Sequence, residues 1–73
     1  MKELTEKQRE VLDFIAAFIA QKGYSPTLSE IAGEKKLTVK AAHDYVSVLK
    51  KKGAISTVQN RARTIRIVSE IEA

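Results

Sequence analysis

At 73 residues, with 44% hydrophobic and 30% charged side chains, the chain has room for one domain with one small core, and its balance is globular, neither disordered nor membrane-spanning. It has no cysteine and a single histidine, His43, which excludes disulfides, thiol catalysis and any metal site built from clustered cysteines or histidines. Its net charge of +4 is unevenly placed: Lys2, Lys7, Arg9 and Lys22 are balanced by Glu3, Glu6, Glu10 and Asp13, whereas from Lys35 to Arg66 the lysines and arginines face Asp44 alone.

That second, basic half points to a polyanionic partner, against the ordinary alternative of a solvated basic surface. The longest apolar run, Phe14 to Ala20, falls far short of the roughly 20 residues that cross a bilayer, and no signal segment opens the sequence. A cytoplasmic protein is the expectation.

Thr5 and Gln8 have the spacing of a capping box and predict a first helix over about 6–22. Val11, Leu12, Ile15, Phe18 and Ile19 form its apolar stripe, and Gly23 is able to end it in the left-handed conformation. Tyr24, Ser25 and Pro26 make a rigid connector, because proline fixes its own φ and turns the preceding residue away from helix. Thr27 and Glu30 repeat the capping box ahead of Leu28, Ile31 and Ala32, predicting a short second helix over about 28–35. Only Lys36 and Leu37 separate it from Thr38, a third candidate cap. Val39, Ala42, Val46 and Leu49 then recur at helical spacing and predict a third helix over about 39–52. So short a connector implies a tight turn between steeply crossed helices.

Beyond Gly53 the period changes. Ala54 to Val58 and Thr64 to Val68 are rich in β-branched residues, with Ile55 and Thr57 facing one way and Ile65 and Ile67 likewise, which predicts a hairpin over about 54–68. Its tip holds Asn60, Arg61 and Arg63, and the acidic tail 69–73 is expected to fray. The fold class is therefore mainly α with a small β-hairpin: a winged helix-turn-helix of three helices plus a two-stranded wing, in a single domain over 1–73.

This arrangement suits duplex DNA for a geometric reason. The major groove admits an α-helix, and there each base pair shows a distinct donor and acceptor pattern. If Ala42, Tyr45, Val46 and Leu49 face the core, the opposite arc of the third helix is Lys40, Asp44, Ser47 and Lys51, flanked by Ala41 and His43. His43 donates to a base edge, switches charge with pH, or sits on a solvated flank. Asp44 either accepts from a cytosine amino group or steadies Lys40 across the i, i+4 spacing. Ser47 and Lys51 lie farther along and suit sugar or phosphate. Lys50, Lys51 and Lys52 favour the helix dipole in any protein, with phosphate contact as an added use. The wing arginines Arg61 and Arg63 either reach phosphate or the minor groove, or serve as edge-strand charges. Tyr24 and Tyr45 read as packing residues.

The opening Leu4-Thr5-x-Lys7-Gln8-x-x-Val11-Leu12-x-Phe14-Ile15 and the later Gly23-Tyr24-x-Pro26-Thr27-x-x-Glu30-Ile31 closely resemble the N-terminal DNA-binding domain of the LexA family, repressors of the bacterial DNA-damage (SOS) response. The likeness continues through Lys51-Lys52-Gly53 and Arg63-Thr64-Ile65, so it covers nearly the whole chain. It implies base contacts from Thr38, Lys40, Ala41, His43 and Asp44. It also implies a palindromic operator as partner, a monomeric isolated domain, and dimerisation through a further, self-cleaving domain that this sequence does not contain. Two positions depart from the family pattern, which has an apolar residue near the end of the second helix and a glycine in the turn, where this chain has Lys35 and Lys36. Either Lys35 lays its stem over the core and Lys36 accepts a strained turn, or the second helix ends a turn early.

No nucleophile with a base, metal cluster or phosphate loop is apparent, so neither an enzyme nor a bound cofactor is expected. The competing readings are a winged helix that meets an acidic protein partner, and one that binds RNA.

Overall fold

A threonine starts each of the three helices. In the computed structural model, which describes residues 4–58 and 63–68, α1 spans Glu6–Lys22, α2 Leu28–Lys35 and α3 Val39–Lys51. The Thr5 hydroxyl accepts from the Gln8 N–H at 3.2 Å while Gln8 Oε1 accepts from the Thr5 N–H at 3.0 Å. Thr27 and Glu30 make the same reciprocal pair at 3.1 and 2.9 Å. Thr38 accepts from the Ala41 N–H at 3.0 Å. Each cap satisfies amides that have no partner inside the helix, typically worth about 1 kcal/mol.

The helices also end alike, on a residue in the left-handed region: Gly23 at φ 82°, Lys36 at φ 57° and Gly53 at φ 81°. After α1 the Gly23 N–H reaches the Ile19 carbonyl at 2.8 Å. After α2 and α3 the chain reverses more tightly, with the Leu37 N–H on the Ala32 carbonyl at 2.8 Å and the Ala54 N–H on the Leu49 carbonyl at 2.9 Å, the six-to-one bond of a Schellman turn. Lys36 thus takes the strained turn that a glycine would take freely, and α2 does not end early.

Val11, Leu12 and Ile15 of α1, Ile31 and Ala32 of α2, and Ala42, Val46 and Leu49 of α3 form one buried core, joined by Ala54, Ile55 and Ile65 of the wing. Ile15, Ile31, Leu49 and Ile55 are its largest fully buried side chains, each worth roughly 1.5–3 kcal/mol of burial. Several apolar positions fall outside it, Val58 and Val68 of the wing among them. Val39, the first residue of α3, remains 49% exposed. Ile67 is 37% exposed although it pairs with buried Ile55.

Phe18 and Tyr24 build a row beside the core. Phe14 meets Phe18 edge-on at 5.8 Å, and Phe18 meets Tyr24 edge-on at 5.8 Å. A cation stands over each end of the row: the Lys35 ammonium 6.0 Å from the Phe14 ring, and the Arg63 guanidinium 4.9 Å from the Tyr24 ring. The Lys35 stem is half-buried, as a long side chain covering apolar surface should be.

The wing is shorter than its sequence suggests. β1 (Ile55–Ser56) and β2 (Arg66–Ile67) pair antiparallel, Ile55 with Ile67 and Ser56 with Arg66. Outside these pairs the Thr64 hydroxyl accepts from the Val58 N–H at 3.0 Å and donates to the Val58 carbonyl at 3.3 Å. The Val68 N–H reaches the Ala54 carbonyl at 2.9 Å. The expected hairpin tip with Asn60 and Arg61, and the acidic tail 69–73, lie outside the described residues. The fold class read from the sequence, mainly helical with a two-stranded antiparallel wing, is the one observed.

Candidate nucleic-acid interface

The two Schellman turns fix which face of α3 is left open. Leu37 is drawn back onto α2 and α2 packs against α3, so Ala42, Val46 and Leu49 turn inward while the opposite arc faces solvent. On that arc the side chains of Lys40, His43 and Asp44 are 86%, 64% and 65% exposed. Asp44 lies between the other two, its Oδ2 4.0 Å from the Lys40 Nζ and its Oδ1 3.9 Å from the His43 Nδ1. Exposed pairs at such separations are worth well under about 1 kcal/mol, so these side chains can rearrange around a ligand at little cost. Ser47 and Lys51 continue the exposed arc, Ala41 is half-buried beside it, and Thr38 is exposed but spends its hydroxyl on the cap.

Beside α3 runs an open groove of about 550 Å³, walled by His43, Ser47 and Lys50 of α3, by Leu28 and Ser29 at the start of α2, and by Thr57 of the wing. Ser29 and Thr57 are not among the contacts read from the sequence, and Lys50 enters there only with phosphate contact as an added use. The signal for Lys50 was present, since its cation sits among the three lysines closing α3, but the helix dipole explains such a cluster without any ligand. Nothing local marks Ser29 or Thr57, which join the site only through tertiary packing.

Two expected contact residues are engaged elsewhere. Lys52 donates from Nζ to Gln8 Oε1 at 2.8 Å, which ties the end of α3 to the start of α1. Arg63 turns away from a wing-tip position. In the left-handed region at φ 58°, it donates to both Glu30 oxygens at 3.1 and 3.0 Å and to the Ser25 carbonyl at 3.2 Å. The Glu30 carboxyl is held below its ordinary range, first by the hydrogen bond from the Thr27 N–H and then by that from Arg63, with desolvation opposing. Arg61 lies outside the described residues.

The model of the family described as the LexA DNA binding domain matches residues 1–64. The chain belongs to this family. Over all 73 residues it is 48% identical to the LexA repressor of Thermosipho melanesiensis, of which it covers 37%. It is 41% identical over 70 residues to the LexA repressor of Leptospira interrogans, covering 96% of this chain and 34% of that protein. With the LexA repressor of Thermotoga maritima the identity is 42% over 71 residues, covering 97% and 36%. The chain therefore spans about a third of the length of the curated relatives it matches.

Within this LexA domain the family likeness read from the first and second helices stands, and the departure at Lys36 is accommodated by backbone strain at one residue. Among the described residues no group of acids and histidine could hold a metal ion, and no helix is long and apolar enough to cross a membrane.

Proposed function

We propose that this LexA-family domain binds double-stranded DNA sequence-specifically through the outward arc of α3, as the operator-reading part of a bacterial transcriptional repressor. The observation that carries the reading is the pairing of a fully packed inner arc with an outer arc on which Lys40, His43 and Asp44 stand uncovered beside an open groove. Lys40 and His43 donate to guanine O6 and N7, Asp44 accepts from cytosine N4, and Ala41 allows close approach or meets a thymine methyl. Thr38, at the start of the helix, is positioned for a contact through its remaining hydroxyl capacity. Val39 adds an exposed methyl pair next to Lys40.

Ser47, Lys50 and Lys51 meet the phosphate and sugar of the strand passing through the groove, and Arg61 is assigned to phosphate or the minor groove. Lys52 contributes field more than contact. Arg63 is assigned to holding the wing, for the reasons given next. Two domains within longer chains would occupy the halves of a palindromic operator, the isolated domain being monomeric and its affinity raised by tethering. Genes of the DNA-damage response, in the cytoplasm, are the regulatory setting the family suggests.

The test is duplex affinity against salt, followed by selection of sites from random duplexes. A steep loss of affinity on a log-log plot and a recovered motif are expected. Weak binding that ignores salt, or selection that returns no motif, would overturn the reading.

A further inference from the structure

A wing of two residue pairs cannot hold its own position. Isolated two-stranded hairpins are marginal even when much longer, so whatever fixes this one must lie outside it. The returning segment supplies the attachment through Ile65 and Arg63, with Thr64 between them tying the wing to itself. Ile65 buries its side chain in the core and donates its N–H to the Ser25 hydroxyl at 3.2 Å. Ser25 is itself 5% exposed, and its carbonyl accepts from Arg63. Thr64 bridges to Val58 across the wing. Arg63 then clamps Glu30 with two parallel hydrogen bonds and covers the Tyr24 ring.

The clamp joins segments 33 residues apart in sequence, and it comes from a residue in a strained conformation. A non-glycine residue persists in the left-handed region only where its surroundings over-determine it, and here they include three hydrogen bonds and an aromatic face. The guanidinium lies over the start of α2, and Arg63 forms part of the lining of the groove between α3, α2 and the wing.

We propose that Arg63 and Glu30 form a latch that seats the wing on α2 and so sets the opening of the groove in which duplex DNA docks, making both positioning residues that act on DNA binding through the wing. The inference rests on the proposed DNA-binding function for its consequence, but not for its mechanics, which can be read in the free protein. Glu30 is the decisive partner. A carboxylate beside a phosphate-binding groove repels DNA, so electrostatics alone says that neutralising it tightens binding, whereas loss of a latch says that it weakens binding.

Two variants isolate the latch. Glu30→Gln keeps an N3 side chain able to close the capping box on Thr27 but removes the charge that Arg63 clamps. Arg63→Lys keeps the positive charge but loses the fork that engages both oxygens. In the free protein, amide exchange at Ile65 and Val58 is expected to accelerate in both variants while the amides of α1 and α3 are unchanged. Unaltered exchange at Ile65 and Val58 would overturn the latch. With duplex DNA, both variants should bind about tenfold more weakly if the seated wing falls to about one molecule in ten, with the salt slope unchanged. Tighter binding by Glu30→Gln, or a salt slope flattened by about one phosphate's worth in Arg63→Ala, would also overturn it. If the unaltered protein bound no duplex, the function proposed for α3 would fail, while the exchange measurement would still decide the latch.

Discussion

Gln8 Oε1 accepts two hydrogen bonds from opposite ends of the fold, one from the Thr5 N–H at 3.0 Å and one from the Lys52 ammonium at 2.8 Å. A helix cap is thereby shared with a tertiary contact that spans 44 residues. Gln8→Ala removes both and is expected to destabilise the domain by about 1–2 kcal/mol, a cap plus a hydrogen bond to a charged group. Gln8→Glu keeps the cap geometry and gives Lys52 an anionic partner, so its stability should equal or slightly exceed that of the unaltered chain. Urea melts of the two variants check both directions.

Lys36 offers a stabilising change. A side chain in the left-handed region costs about 1–2 kcal/mol. Lys36→Gly relieves that cost while giving back roughly 0.4–1 kcal/mol of extra freedom in the unfolded chain. The net expectation is a gain of about 0.5–1 kcal/mol, visible as a higher urea midpoint with an unchanged slope. A loss of stability would mean that the Lys36 side chain makes compensating contacts.

Stability should also depend on Glu30 in acid. Because folding lowers the Glu30 pKa from its ordinary value of 4.5, the folded state binds fewer protons there than the unfolded state. The contribution is therefore fully present above the ordinary value and is lost as pH falls through the depressed folded one. Thermal melts should separate the unaltered chain from Glu30→Gln near neutral pH, and the gap should narrow steadily once pH drops below about 4.5. A gap that stayed constant to strongly acid pH would show that the charge on Glu30 contributes nothing.

What could be read from the sequence follows the range of the forces involved. The caps at Thr5, Thr27 and Thr38 act over three residues, and the inward arc of α3 follows from helical spacing, so both were legible. Val39 shares the apolar spacing of Ala42, Val46 and Leu49 yet stays exposed, since periodicity gives a direction and not how far the core extends along the helix. The short wing and the Arg63–Glu30 clamp were not legible, since β-branched composition cannot say how many residues pair. Nothing near Arg63 in the sequence announces a partner on α2. The same limit explains Lys52, which reads as a helix-end cation and is committed to Gln8.

Sequence preference is expected to reside at Lys40 and Asp44, and the loose pair they form makes this testable without confusion from unfolding. At 4.0 Å and largely exposed, the pair contributes no more than about 0.5 kcal/mol to folding, so Lys40→Ala and Asp44→Ala should both stay folded. Each contact to a base edge should discriminate by roughly 1–3 kcal/mol, so each variant should relax preference at one or two base pairs. Their effects on nonspecific binding should have opposite signs. Lys40→Ala removes a cation from the face that meets DNA and should weaken binding to all duplexes, whereas Asp44→Ala removes the one acid among the bases of α3 and should strengthen it. Asp44→Ala should therefore bind random duplex more tightly while returning a degraded motif from site selection, a combination that a merely repulsive surface charge could not produce. Recovery of the unaltered motif by both variants would move the reading surface off this arc of α3.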